Sequence, residues 1–252
     1  METLKTINDH RSIRKYKSDP ISDDILNQIL EAGCRASTTG NMQVYSIIVT
    51  KDEEKKKMLW ECHFKQNMVL QAPVIFTFCA DFNRFNLWCR QRDAEPGYDN
   101  FLSFMTAAID ALLAAQNVAL AAESKGLGIC YLGTTTYNAE KIIEILDCPK
   151  GVVPVTTIVA GYPDECPELT DRLPLAAVVH NETYQPYSRE KIDELYNEKE
   201  ALPLTKNLII ENQVENLAQI FTQKRYTKKD NTYFSKCYLA AIQKQGFMNN
   251  EE

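Results

Sequence analysis

Apolar positions return every three to four residues after Ser22, at Ile25, Ile29, Leu30 and Cys34, and this spacing predicts a helix with Ser22 as its N-cap. The period then changes. From Val44 to Thr50, and again from Pro73 to Asp81, the chain is a short apolar, β-branched run of the kind that forms a strand, with a charged helix opening over 51–57 between them. Residues 99–125 carry the longest helical pattern, apolar on most faces, which predicts a helix buried almost all round and suited to a subunit interface. Gly126 is placed to end it in the left-handed conformation, ahead of a strand over 128–133, a helix over 139–146 and a strand over 155–162. Helices too numerous for a sandwich and strands too few for a barrel predict an α+β layered domain, without internal repeats. From about Ser188 the chain is polar and helix-forming and closes on a helical period over 233–245. Lacking a domain-sized core of its own, it is expected to wrap the main domain or a partner subunit.

Composition narrows the function classes. A chain of 252 residues can bury a sizeable core, and its net charge of -6 disfavours a nucleic-acid binder, which needs a concentrated basic surface. The N-terminal stretch lacks the apolar centre of a signal peptide, and no run approaches the roughly 18 apolar residues of a membrane span, so a cytoplasmic protein without a membrane partner is expected. Eight cysteines, at 34, 62, 79, 89, 130, 148, 166 and 237, form no C-x-x-C pair; reduced thiols packed as small hydrophobes are expected, with no disulfide and no metal. His63 and His180 lack metal-ligand spacing and are assigned structural or surface roles.

Four segments carry candidate chemistry, each with an ordinary alternative. His10-Arg11-Ser12-Ile13-Arg14 sets two fixed cations among hydrogen-bonding groups, suited to a phosphate or an electron-rich ring edge, but also to a solvated basic turn extended by Lys15 and Lys17. Ala36 to Gln43 offers Ser37, Thr38, Thr39 and Gly40 as a polar cradle, or simply a loop. Gly126, Gly128 and Gly133 lack the G-x-G-x-x-G spacing and follow a helix, which excludes a Rossmann fingerprint and leaves a strand whose end can face a ligand. In the loop from Leu169 to Pro174, Arg172 fits either a phosphate clamp or a salt bridge to Asp171.

Taken in order, these segments resemble the FMN-dependent nitroreductase family, in its oxygen-insensitive NADPH nitroreductase and flavin reductase P-like branch. The likeness also runs through Pro20-Ile21-Ser22, Phe78 to Arg84, Ala115-Gln116-Asn117, Ala121 to Ser124, Arg172-Leu173-Pro174, Val179-His180, Tyr184-Gln185-Pro186 and Lys244 to Phe247. It implies a three-layer fold, a central mixed but mainly antiparallel sheet flanked by helices, in an intertwined homodimer with FMN at the interface. It divides the chain into an FMN-binding core over 1–187 and a helical extension over 188–252.

By the same resemblance Ser12, with His10 or Arg11, holds the FMN phosphate, and Arg14 approaches the ring, where a fixed cation stabilises the negative charge of reduction. Ser37, Thr38 and Thr39 contact the cofactor from the opposite subunit, and Gln66 reaches its ribityl or pyrimidine part. Tyr131, Leu132, Gly133 and Thr134 lie beside the ring. Arg172 matches a phosphate-binding arginine, while Thr170 stands where the branch usually has lysine. The reaction implied is ping-pong hydride transfer through flavin N5 from NADPH or NADH to nitroaromatics, quinones or flavins, with no side chain as nucleophile or obligatory base. Lys206, Lys224, Arg225, Lys228 and Lys229 are basic candidates for NADPH recognition or a solvated helix face. The alternatives are an idle or regulatory flavin-binding protein and a specialised superfamily member such as a reductive dehalogenase.

Overall fold

The computed structural model describes residues 2–249. By its contacts the chain forms two units, one of residues 2–168 and 234–249, the other Leu169–Tyr233. The first contains α1 (Glu2–Asn8), α2 (Asp23–Gly33), β1 (Tyr45–Thr50), α3 (Glu53–Cys62), α4 (Met68–Gln71), β2 (Val74–Asp81), α5 (Asn83–Arg90), α6 (Phe101–Ser124), β3 (Gly128–Leu132), α7 (Ala139–Ile145) and β4 (Val152–Gly161). The second contains α8 (Arg189–Ala201), α9 (Pro203–Asn212), the short α10 (Leu217–Gln219) and a π-helical stretch, Ile220–Arg225; α11 (Lys228–Lys244) belongs to the first unit from Phe234 onward.

Helix starts are set by short polar side chains. Ser22, Asp52 and Asn100 accept the backbone N–H of Ile25, Lys55 and Ser103, capping α2, α3 and α6. Helix α6 ends on Gly126 (φ +77°), with Gly126 N–H bonded to Glu123 O and Leu127 N–H to Ala122 O, a Schellman motif. Helices α1, α4 and α5 were not foreseen. Helix α1 buries no residue, so it carries no apolar stripe to read.

The four strands lie in the order β1-β2-β4-β3, every pair antiparallel. Strand β4 begins three residues earlier than expected, running through Pro154, which has no N–H to give and sits opposite Cys79 at a break in the β2–β4 register. On one sheet face Val74, Phe76 and Phe78 pack against α2 and α6; on the other, Ile75, Cys130 and Leu132 pack with Leu59, Met68 and Ile142 from α3, α4 and α7. Helices on both faces of one sheet make three layers. A third cluster joins Phe82, Phe104 and Ala107 to Ile242 and Phe247 of the C-terminal segment.

Segment 12–16 completes the sheet at the free edge of β3. Ser12 forms a parallel bridge with Ile129, and Ile13 N–H donates to Ile129 O at 2.9 Å, making this edge mixed. A β-carbon on Gly128 would lie 2.6 Å from Ile13 Cγ1, so glycine here is what admits the segment.

Helix α6 corrects one expectation. It is not buried all round: Ala107, Ala111, Ala114, Ala115, Val118 and Ala122 face the core, whereas Leu102 (75% exposed), Ile109 (50%) and Leu112 (46%) form an apolar stripe open to solvent. The small residues allow close approach to the sheet; the large ones are left partly uncovered by the described residues. Among the described residues it is the one helix long and apolar enough to cross a membrane, but half of its most apolar window is buried in protein, as in a core helix. The cysteines are all free; Cys62, Cys79, Cys89 and Cys130 are buried as expected, while Cys34 and Cys166 are exposed.

Candidate active site

The basic run lies along an edge rather than in a loose turn. Tyr16 donates its hydroxyl to Ile13 O at 2.6 Å, and Glu165 accepts the backbone N–H of Arg14 (2.5 Å) and Lys15 (3.2 Å), fixing the segment from both sides. Its side chains are unequally engaged. His10 Nδ1 lies 2.6 Å from Glu123 Oε1 of α6, a contact that only partly offsets the upward push of burial on the Glu123 carboxyl. Arg11 Nη1 contacts Cys166 Sγ at 3.2 Å, and its Nε is buried without a partner. The side chain of Arg14 is exposed, and its charge opposes the burial that pushes up the Tyr16 hydroxyl and the Cys130 thiol.

The polar loop is held from beneath by a residue that sequence reasoning missed. Asp110, buried in the middle of α6, accepts Thr39 N–H at 2.9 Å and the Thr39 hydroxyl at 3.4 Å on one oxygen, and Val44 N–H at 3.4 Å on the other. Gly40, Asn41 and Gln43 all have positive φ, so the loop doubles back sharply, leaving Ser37 and Thr39 exposed.

At the end of β3 the chain enters a 3₁₀ turn, Gly133–Thr135, where Gly133 is exposed with open space around it. Leu132 is buried in the core, and the Tyr131 hydroxyl donates to Gln116 Oε1 at 3.3 Å; burial pushes that hydroxyl up to about 12. Thr134 meets two residues of the α3–α4 connection: His63 Nδ1 lies 2.8 Å, and Gln66 Nε2 3.5 Å, from its Oγ1. His63 is fully buried, and burial lowers its imidazole to about 4. It belongs to the core, not the surface, and touches a candidate ligand-binding residue.

Thr170 and Arg172 lie exposed in the second unit, where Arg172 donates to the carbonyls of Thr170 and Asp171. The ion pair that sequence reasoning offered to Arg172 is not its own: Asp171 pairs with Lys199 at 2.6 Å. Lys206, Lys224, Arg225, Lys228 and Lys229 are all exposed.

A cleft of about 550 Å³ opens beside Arg11. Glu2, Asp9, Glu123 and Glu165 line it with Lys5 and Arg11; Lys5 is paired with Asp9, so among the described residues Arg11 is the cation of this lining without an ion-pair partner. There the unpartnered Nε is a buried donor that an anionic oxygen would satisfy, so the residues present fit a phosphate at this end of the run.

The chain is similar to known proteins. The model of the Nitroreductase family matches residues 7–162. The FMN reductase [NAD(P)H] of Bacillus subtilis (strain 168) is 39% identical over 185 residues, 73% of this chain and 74% of the relative. A crystal structure of a chain from Bacteroides fragilis NCTC 9343 is 52% identical and superposes with a TM-score of 0.95, covering 99% of this chain and 100% of that one. The NADPH:FMN oxidoreductase of Vibrio harveyi, solved with NAD+, is 29% identical, with a TM-score of 0.81 and coverage of 99% and 100%.

Proposed function

The chain belongs to the nitroreductase family and is an FMN-dependent NAD(P)H oxidoreductase; we propose that it works in ping-pong fashion, as a homodimer, on small planar acceptors such as nitroaromatics, quinones and flavins. The observation that supports the site is the seating of residues 10–14 against β3, which brings two arginines and a serine alongside a strand that ends in open space at Gly133. Within this wall Arg11 Nε is a buried donor without a protein partner.

FMN, when bound, would supply two-electron hydride chemistry between the nicotinamide and the acceptor. The protein's part is position and charge. Arg11 and Ser12 hold the phosphate, with His10 set by Glu123 at the same end. Arg14 places a fixed cation near the ring, stabilising the charge that reduction adds. Ser37, Thr38 and Thr39, the last of them held by Asp110, would reach the cofactor of the opposite subunit. Gln66, Tyr131, Gly133 and Thr134 would border the ring, and Leu132 only through its backbone, since its side chain is buried in the core; Thr170 and Arg172 stand as phosphate ligands on the resemblance alone.

The apolar stripe of α6 supports the dimer, since Leu102, Ile109 and Leu112 at helical spacing call for a covering surface. The division implied by the resemblance, a cofactor core over 1–187 and a helical extension over 188–252, differs from the contact units, in which Leu169–Tyr233 form one unit and 234–249 belong with the other. Eight free thiols suit a cytoplasmic location. Titration of purified protein with FMN, read by quenching of flavin fluorescence, tests the reading. Saturable, stoichiometric binding is expected, and its absence overturns it.

A further inference from the structure

The corner formed by His63, Gln66 and Thr134 has more hydrogen-bonding order than a pocket wall needs. Positive φ at Phe64 and Lys65 turns the chain back after α3, so that His63 points into the core and Gln66 returns beside it. Gln66 Nε2 lies 3.0 Å from His63 O, which can only accept, so the amide nitrogen is the atom turned inward. Its hydrogens go to His63 O and to Thr134 Oγ1. That leaves Gln66 Oε1 as an unused acceptor.

The state of Thr134 depends on which nitrogen of His63 carries the proton. His63 is neutral at physiological pH because burial disfavours its charge. Its Nε2 is buried without a partner. An N–H left orphaned in the core is less tolerated than a bare acceptor, so the proton belongs on Nδ1, donated to Thr134 Oγ1. The threonine oxygen then accepts from both His63 and Gln66, which uses both of its lone pairs. Its hydroxyl hydrogen must go elsewhere. Thr134 and Gln66 are both partly exposed, so a ligand can reach them.

We infer that His63 is a positioning residue whose Nδ1–H tautomer makes Thr134 a hydrogen-bond donor beside the Gln66 acceptor, a pair that recognises an imide edge, C=O next to N–H, such as that of the flavin pyrimidine ring. The inference rests on the FMN reading for its ligand, but the polarity of the corner comes from this chain's own contacts. A donor and an acceptor in fixed order select one edge and one orientation of a flat ring, which a purely apolar slot cannot do.

The test combines three measurements on FMN-loaded protein. Imidazole ¹⁵N shifts report the tautomer directly; the chain has only three histidines, and H63F, or H10Q and H180Q if H63F does not fold, assigns the signal. An Nδ1-protonated His63 is expected, and an Nε2-protonated one overturns the inference. Thr134→Val should weaken FMN binding by about tenfold with unchanged thermal unfolding of the FMN-free protein, and Thr134→Ser should restore it. Equal affinity for FMN in the wild type and the valine variant contradicts the donor role. N3-methyl-FMN, which lacks the imide N–H, should bind the wild type about tenfold more weakly than FMN. Equal binding of the two contradicts the imide assignment. Failure of the wild type to bind FMN at all overturns the functional reading instead, and is read from the same titration.

Discussion

On the proposed reading the basic run at His10 to Arg14 and the corner at His63 serve one site, yet the structure treats them in opposite ways. The run declares itself by charge, and its cations are only loosely engaged: Arg14 is exposed and Arg11 Nε has no partner. The corner declares nothing by charge, and its polar groups bond to one another in a way that leaves the Gln66 Oε1 acceptor and the Thr134 hydroxyl hydrogen in a fixed order. Charge attracts a cofactor and needs to be left available; orientation needs groups whose alternatives have been removed. One end of the site therefore resembles an open clamp and the other a fixed template.

Acidification gives the largest contrast between them. His63 titrates near 4 in the folded protein against 6.5 when unfolded, so its contribution is intact above pH 6.5 and is lost as pH falls from 6.5 towards 4. At about 1.4 kcal/mol per unit this amounts to about 3 kcal/mol. Urea unfolding at pH 7 and pH 4.5 should show a loss for the wild type that His63→Gln largely lacks. Equal losses would place His63 outside the core network.

Next comes the clamp. Arg11→Ala removes a charge-assisted hydrogen bond, of about 1.5–3 kcal/mol, and should raise the FMN dissociation constant about 10- to 100-fold at low salt. Unchanged affinity would mean that the phosphate lies elsewhere. Arg14→Ala should act on rate instead, slowing flavin reduction by NAD(P)H on the order of tenfold while its exposure leaves the unfolding temperature nearly unchanged. A wild-type rate in stopped flow would remove Arg14 from the ring.

What was legible in the sequence follows the same division. The caps at Ser22 and Gly126 rest on contacts within a few residues, and strands β1 and β2 on short continuous apolar runs, so both were read correctly although the strands pair at long range. The basic run was visible as a motif, but its seat on β3 depends on Gly128, more than a hundred residues away, admitting Ile13. Asp110 lay hidden among the alanines of α6 because a single mid-helix carboxylate looks like a solubilising residue until the 39–44 loop folds onto it. His63 and Thr134 are 71 residues apart, and no spacing rule links them. The apolar pattern of α6 was read as burial because hydrophobicity alone does not distinguish a face covered by its own chain from one left for a partner.

The central claim, that this chain moves electrons from a nicotinamide through bound FMN, is tested most directly by anaerobic titration of the FMN-loaded protein with NADPH and with NADH while following flavin absorbance. Stoichiometric bleaching by at least one of them, reversed on adding a quinone or nitroaromatic acceptor, is the predicted result. A yellow protein that neither nucleotide bleaches would contradict it.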